Sequence, residues 1–359
     1  MTVILLTDIS SYKSAVIARH LARTRPNVRV IATDHRPYTR RLHTRWARDV
    51  RLLPCPPSAG APYVEALGEI IRNDNVDLMV PVNSDEMRAI MAHPRPVGAT
   101  LDYTSGAETY VQLDDKAAFS ELIDRLDLPQ PSAYDSLDAP LPVVVKPAKG
   151  SSAQGVHYVH TETERGALMA KLGERPEGHV IQEYVSGEGV GYSGFFRDGQ
   201  ILTGYAHRRV FEYPITGGSS VVRSRYDHDD LPALEALVRR LLAEVPYSGF
   251  AMFEFKRRGP GDFFFIECNP RVWGSIHQGL ADGADYFAPL LGDAALAKRA
   301  EKAPRTGLFP LNALVALRQI QAGRWGDAFR VVRSAPFERL DIHPLGDPLG
   351  ILALMMRGR

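Results

Sequence analysis

Cysteine is nearly missing from this chain. Cys55 and Cys268 are the two in 359 residues, and they stand far apart in unlike surroundings. That spacing argues against a disulfide framework or a thiolate metal site, and it fits a reducing cytoplasm. An excess of one charge is missing too: 43 basic against 42 acidic residues leave a formal net charge of +1. No global field therefore favours nucleic acid, anionic lipid or an acidic partner, and any basic site has to be local. The N-terminal MTVILLTDIS lacks a basic segment before its short apolar run and reads as a first β-strand. Leu349 to Met356 is interrupted by Gly350 and falls far short of the roughly 20 residues of a membrane span, so no membrane insertion is expected. Two common nucleotide signatures are absent as well. The first βα turn reads Thr7-Asp8-Ile9-Ser10-Ser11 in place of G-x-G-x-x-G, which argues against a nicotinamide site, and no G-x-x-x-x-G-K-[ST] occurs. Internal repeats and low-complexity segments are also lacking.

What is present is enough apolar material, 45% of residues, to bury two or three cores. Strand-like and helix-like stretches alternate at the start: Val3 to Leu6, Ser14 to Arg23, Val28 to Thr33, then a helix over Tyr63 to Asn73 and a strand over Val76 to Val82 that ends in Asn83-Ser84-Asp85-Glu86. The alternation predicts βαβ units on a parallel sheet, a small doubly wound unit over residues 1 to about 105. DDKAAFSELIDRLDL, Asp114 to Leu128, predicts an amphipathic helix burying Ala117, Phe119, Leu122, Ile123 and Leu126, stopped by Pro129 and Pro131. Strands follow at Val143 to Val145 and His179 to Tyr184, then two strand-rich stretches, Tyr192 to Arg209 and Phe250 to Cys268, which make the middle of the chain α+β with antiparallel pairing. Helices are expected at Leu311 to Ala322 and Trp325 to Arg333, and Pro/Gly-punctuated loops at the end, with no chemical motif in this tail.

Three patterns carry chemistry. Val143-Val144-Val145-Lys146-Pro147 delivers a lysine on a stiff strand just before Lys149-Gly150-Ser151-Ser152-Ala153-Gln154-Gly155-Val156, a loop of small residues whose backbone N–H groups can approach phosphate oxygens. The same sequence also suits an ordinary turn. MFEF, a turn, and FFFIECNPR put Glu254 and Glu267 on two apolar strands, where a hairpin sets the carboxylates side by side. Two acids in an apolar setting repel and lose hydration unless cations bridge them, and Mg²⁺ is held by one or two carboxylates plus substrate phosphates. Glu254, Glu267 and the Asn269 amide oxygen make such a set, with Arg271 positioned for phosphate or an oxyanion. Finally, Tyr205-Ala206-His207-Arg208-Arg209 runs into a Gly217-Gly218-Ser219 turn. Alternation puts His207 and Arg209 on one face and Arg208 on the other. Arg209 suits a carboxylate or γ-phosphate, or a plain pairing with Glu212; Arg223 and Arg225 are weaker candidates.

Taken together, Lys116 in DDKAAFSEL, Lys146 with KGSSAQGV, IQEYVSGE and MFEF...FIECNPR resemble the ATP-grasp superfamily over about residues 1 to 300. Asn-Pro-Arg followed by Val272-Trp273-Gly274-Ser275 is similar to carbamoyl-phosphate-synthase-like carboxylate-amine ligases, with Trp273 and Ser275 as pocket candidates and a plain core role open for Trp273. The resemblance implies an ATP-grasp fold: an N-terminal α/β domain over 1–105, a small lid subdomain over 106–190 with the Gly-rich loop (Gly150, Ser151, Ser152, Gly155), a large antiparallel subdomain over 191–300, and a helical extension over 301–359. It implies ATP with Mg²⁺, or Mn²⁺ in its place. Lys116 and Lys146 would be the phosphate lysines, Gln182, Glu183 and Val185 the adenine-contacting segment, and Glu188 the ribose acceptor. Glu254, Glu267 and Asn269 would ligate the metal. The implied activity is ADP-forming ligation of a small carboxylate to an amine through an acyl phosphate, with Arg271 and Arg209 as catalytic groups, in a cytoplasmic protein that forms a homodimer. Bicarbonate as the acid, or an ATP-binding regulatory module without turnover, are the competing readings.

Overall fold

The computed structural model describes residues 1–150, 154–213, 218–293, 301–334 and 339–357. The chain begins β1 (Thr2–Leu6), α1 (Tyr12–Thr24), β2 (Val28–Asp34), β3 (Asp49–Leu52), α2 (Ala61–Asp74), β4 (Leu78–Val80) and α3 (Ser84–Ala92). These strands form a parallel sheet in the order β3-β2-β1-β4. Strand order therefore reverses between β1 and its two neighbours, which opens a crevice at the carboxyl ends of β1 and β4.

Two short helices follow, α4 (Ala107–Asp114) and α5 (Lys116–Arg125). The single amphipathic helix expected from Asp114 is in fact two, because the Asp115 carboxylate caps α5 by accepting from Ala117 N (2.9 Å) and Ala118 N (3.2 Å). Phe119, Leu122 and Ile123 are buried as the spacing requires, while Ala117 and Leu126 are only half-buried. Next come β5 (Ala133–Tyr134), β6 (Val143–Pro147), β7 (His157–Val159), α6 (Glu162–Leu172) and β8 (His179–Glu183), with the strands in a small antiparallel sheet ordered β5-β8-β6-β7.

The third sheet contains β9 (Glu188–Arg197), β10 (Gln200–Tyr213) and β11 (Ser219–Arg225), then, beyond α7 (Leu231–Glu244), β12 (Gly249–Gly259) and β13 (Asp262–Asn269). After α8 (Ile276–Ala281) and α9 (Phe287–Leu291), the short β14 (Thr306–Gly307) completes the order β13-β12-β9-β10-β11-β14. One face packs α5 and α7 through Phe119, Leu122, Leu241 and Phe253. Opposite them, Phe195, Tyr205 and Phe250 join Ile4, Val16 and Trp273 in a core shared with the parallel-sheet unit. Each such side chain contributes about 1.5–3 kcal/mol on burial, so this shared core holds the two units against each other. Trp273 belongs to it, fully buried with its ring edge-on to Tyr286 at 4.9 Å.

The chain then forms α10 (Leu311–Gln321), α11 (Trp325–Ser334) and α12 (Pro348–Arg357). Helix α12 stands where loops were expected. Pro348 is its first residue, a position where proline costs no hydrogen bond and its fixed φ suits the helix. Among the described residues no helix is long and apolar enough to cross a membrane.

Candidate functional site

A cavity of about 430 Å³ lies where the three sheets meet. One wall comes from the small sheet and its exit: Val144, Lys146, Val156, Tyr158 and the segment Gln182, Glu183, Tyr184, Val185. The floor is the large sheet, with Arg209, Glu254, Glu267 and Asn269, and the far end is formed by Ser11, Lys13, Asn83 and Ser84 of the parallel-sheet unit together with Arg271, Leu354 and Arg357.

The carboxylates are set by sheet register. Glu254 on β12 is paired directly with Glu267 on β13, and Cys268 points away into the core. On the other side of β12, Glu254 lies opposite Gly191 of β9, which in turn lies opposite His207 of β10. Strand β9 is therefore bare where the site needs room. A Cβ at Gly189 would sit 2.9 Å from Arg209 Cδ, and one at Gly191 would run into the His207 ring. Through that gap Arg209 reaches across to Glu254, and it also faces Glu212 at 3.6 Å. Its donors reach Gly218 O as well, at 3.2 Å. Arg209 thus serves the acid site and the Glu212 pair at once. Arg208 faces away and pairs with Glu188 at 3.3 Å.

Opposite the acids, Lys116 at the start of α5 lies 3.5 Å from Glu267 and donates to Gly150 O at 3.0 Å. Lys146, 5% exposed, donates to Ile266 O at 2.9 Å, which ties the small sheet to β13. Burial would raise the pKa of Glu267, but Lys116, Lys146 and Arg209 outweigh it and hold the carboxyl below its ordinary value. Glu254 goes the other way. Burial, helped by Glu267 and Glu212, prevails over Arg209 and raises it. Burial lowers Lys146 to about 8 despite the attraction of Glu267. Two directly paired carboxylates facing two lysines are suited to receive a polyvalent cation together with its anions.

Asn269 donates from Nδ2 to both Glu254 and Glu267 at 3.3 Å, and its Oδ1 accepts from Arg271 at 2.7 Å. The amide oxygen expected to face the acids is thus turned to Arg271, and a metal role would require the amide to turn over. Among the described residues no group of three or more His, Cys, Asp or Glu converges on one point. The protein's own set is two carboxylates and an amide, all oxygen donors of the hard kind that suit Mg²⁺ when phosphates complete the shell. Arg271, 8% exposed, also donates to Ser84 Oγ at 2.6 Å and so joins the large sheet to α3.

The remaining residues expected in the site divide. Gln182, Glu183 and Val185 line the cavity, although the Gln182 side chain is buried and donates to Ser120 Oγ (3.3 Å). Glu188 does not line it, being paired with Arg208. Gly150 follows β6 and Gly155 precedes β7, with Gly155 at φ 72° where a side chain would be strained; Ser151 and Ser152 lie outside the described residues. Arg223 and Arg225 are drawn off to Asp341 and Asp282, at 2.7 and 2.5 Å. His207 is buried and its pKa is depressed to about 3 by burial and by Arg209 and Arg223, so it is a neutral imidazole bonded to Ser275 Oγ at 2.9 Å. Lys13, Asn83, Ser84 and Arg357 were not foreseen as site residues. A signal existed for Asn83 and Ser84, which follow β4 at the carboxyl end of the parallel sheet where α/β sheets bind ligands; for Lys13 and Arg357 there was none.

Residues 113–275 match the family model of the ATP-grasp domain. Among curated proteins, the D-alanine-D-alanine ligase of Petrotoga mobilis is 32% identical over 92 residues, covering 24% of this chain and 31% of that ligase, so the match spans about a third of the relative. An ADP complex of an N5-carboxyaminoimidazole ribonucleotide synthetase shares the fold at a TM-score of 0.67 and 12% identity, covering 89% of this chain and 85% of that one. The L-amino acid ligase from Bacillus licheniformis gives 0.59 at 15% identity, over 79% and 69%. The biotin carboxylase domain of Hydrogenobacter thermophilus 2-oxoglutarate carboxylase, solved with MgADP and bicarbonate, gives 0.62 at 13%, over 84% and 71%.

Proposed function

With residues 113–275 forming an ATP-grasp domain, we propose that this chain is an ADP-forming ligase that phosphorylates a small carboxylic acid with ATP and transfers the acyl group to an amine. The observation that carries this reading is the direct pairing of Glu254 with Glu267 opposite Lys116, Lys146 and Arg209. Adenine would lie along Gln182 to Val185, where the strand exit offers backbone groups to a planar base. Lys116 and Lys146 would hold the phosphates, with the backbone of the Gly150 loop closing over them.

Glu254 and Glu267, with Asn269, would hold Mg²⁺, or Mn²⁺ in its place, and the ion would supply neutralisation of the phosphate charge. The protein's remaining work is electrostatic and positional. Arg271, held by Ser84 and Asn269 at the far end of the cavity, would orient the acid's oxygen toward the γ-phosphate. When the amine attacks the acyl phosphate, the developing oxyanion falls within reach of Arg271 or Arg209. Arg209 would exchange its contact with Glu254 for that charge. No protein nucleophile is needed.

The test is release of ADP and phosphate from ATP and Mg²⁺ against crossed panels of acids, bicarbonate included, and amines. Turnover that requires an acid and an amine together supports the ligase. Bicarbonate replacing every acid would move the reaction to carboxylation, and tight nucleotide binding without turnover would leave a sensor. Glu267→Gln is expected to lower turnover on the order of 100-fold or more; undiminished turnover in that variant would overturn the assignment.

A further inference from the structure

Lys13 has no part in the reading above, yet it is among the most constrained cations in the molecule. It is the second residue of α1, after Ser11, whose side chain caps the helix by accepting from Lys13 N at 3.3 Å. Lys13 is 7% exposed, lines the cavity, and donates from its ammonium to Val82 O. The acids nearest to it are engaged elsewhere. Asp8 pairs with Arg36 (3.1 Å) and Arg357, and Glu86 accepts from Thr7 Oγ1 (2.7 Å), Val82 N (3.2 Å) and Asn83 N (3.1 Å).

Arg271 is in the same state. Its bonds go to Ser84 Oγ, Val272 O and Asn269 Oδ1, all uncharged acceptors. Two buried basic groups thus border one cavity, neither paired with a carboxylate among the described residues, and burial together with the nearby Arg271 pushes the Lys13 ammonium well below its ordinary pKa. An anion entering between them would offset the burial and the mutual repulsion and favour the charged lysine. The first turn of α1 adds to the attraction, because its N–H groups and helix dipole favour negative charge at this end. The location is also the crevice where the strand order of the parallel sheet reverses.

We propose that Lys13, the first turn of α1 and Arg271 form an oxyanion subsite that holds the carboxylate or phosphate group of the non-nucleotide substrate. The occupant's role as substrate rests on the ligase reading; the subsite itself rests on the two buried basic groups and the helix end. Lys13 supplies a point charge from the parallel-sheet unit, and Arg271 supplies a planar donor pair from the large sheet, so a bound oxyanion would bridge the two units. Acetate, succinate and inorganic phosphate share that chemistry and distinguish its sources.

The experiment is calorimetric titration of each of these three anions into the wild-type protein, Lys13→Met, Lys13→Arg and Lys146→Met, with MgADP titrated in parallel. At least one anion is expected to bind the wild type, to bind Lys13→Met at least about 10-fold more weakly, a change of about 1.4 kcal/mol, and to recover in Lys13→Arg. Lys146→Met should leave that binding in place, and Lys13→Met should leave MgADP binding unchanged. The ligand-free melting temperature of Lys13→Met should equal or exceed that of the wild type, since methionine fills similar space without a buried charge; a merely structural lysine would lower it. The proposal is overturned if no anion binds the wild type, if Lys13→Met binds as well as wild type, if the loss appears in Lys146→Met instead, or if Lys13→Met melts lower. Absence of MgADP binding would remove the ligase reading, and phosphate binding that still depends on Lys13 would leave the subsite standing.

Discussion

Lys146 combines a buried position with a proposed task that needs charge. Burial lowers its pKa to about 8, and its ammonium donates to the Ile266 backbone carbonyl. In the proposed role a triphosphate would be gripped by the protonated form, which in the free protein is present below about 8 and lost as pH rises through that value. Nucleotide affinity is therefore expected to fall as pH passes upward through about 8, approaching a factor of 10 per pH unit well above it, as followed by titration of an ATP analogue. Lys146→Arg, which stays charged throughout, should flatten the profile even where its different shape weakens binding; a wild-type affinity independent of pH across this range would refute the assignment. Lys146 was legible in the sequence because its signal is local: three valines make the strand and the lysine ends it. Glu254 and Glu267 were legible for a similar reason, each standing alone on an apolar strand of one hairpin. Lys13 was not, because it sits among Ser14, Ala15 and Val16 in a helix buried almost all round, and only the tertiary fold turns its ammonium toward the cavity.

At the scale of the element, α3 shows how a cap can be made of a group that also titrates. Asn83 and Glu86 form a capping box, and Glu86 further accepts from Thr7, Val82 and, through its second oxygen, Tyr63 at 3.1 Å. Burial first, then Asp8, raises the Glu86 pKa to about 7 against those hydrogen bonds. A carboxyl whose folded pKa is raised binds its proton more tightly in the folded state. Its contribution is complete below the unfolded value of about 4.5 and is lost as pH rises through about 7. Glu86→Gln keeps acceptors for the cap and removes the titration. The variant is expected to lose less stability than wild type between pH 5 and pH 7, as measured by urea unfolding at several pH values; parallel curves for the two proteins would contradict it. Element boundaries were less legible than element types, and the reasons are specific. Asp115 looked like the interior of one helix but caps a second one, and Pro348 looked like a breaker but begins α12. In both cases the residue type was compatible with either role, and packing partners far along the chain decided.

At the scale of the whole molecule, the C-terminal segment closes the site from behind. Thr306–Gly307 adds an edge strand beside β11, Gly307 bridges to Leu340, and Asp341 enters the interior to meet Arg223. Both charges are essentially buried, at 1% and 0% exposure, with two hydrogen bonds of 2.7 Å, and His277 adds a third contact to Asp341 at 2.9 Å. Burial would raise the Asp341 pKa, but Arg223 and His277 outweigh it and keep the carboxyl below its ordinary value. From this anchored segment α12 carries Arg357 back to Asp8 and Leu354 to the cavity wall, a contact across almost the full length of the chain that no local pattern announces. Removing one partner of a buried ion pair strands the other. Asp341→Ala is therefore expected to destabilise the protein by about 3–5 kcal/mol, and Arg223→Met combined with Asp341→Leu to recover most of that loss, because the pair's attraction mainly offsets its own desolvation. Denaturant unfolding of the two single variants and the double variant decides it. If the double variant is as unstable as the sum of the singles, the pair is not coupled, and the anchoring of the C-terminal segment has to come from its apolar contacts with Val221 and Val222.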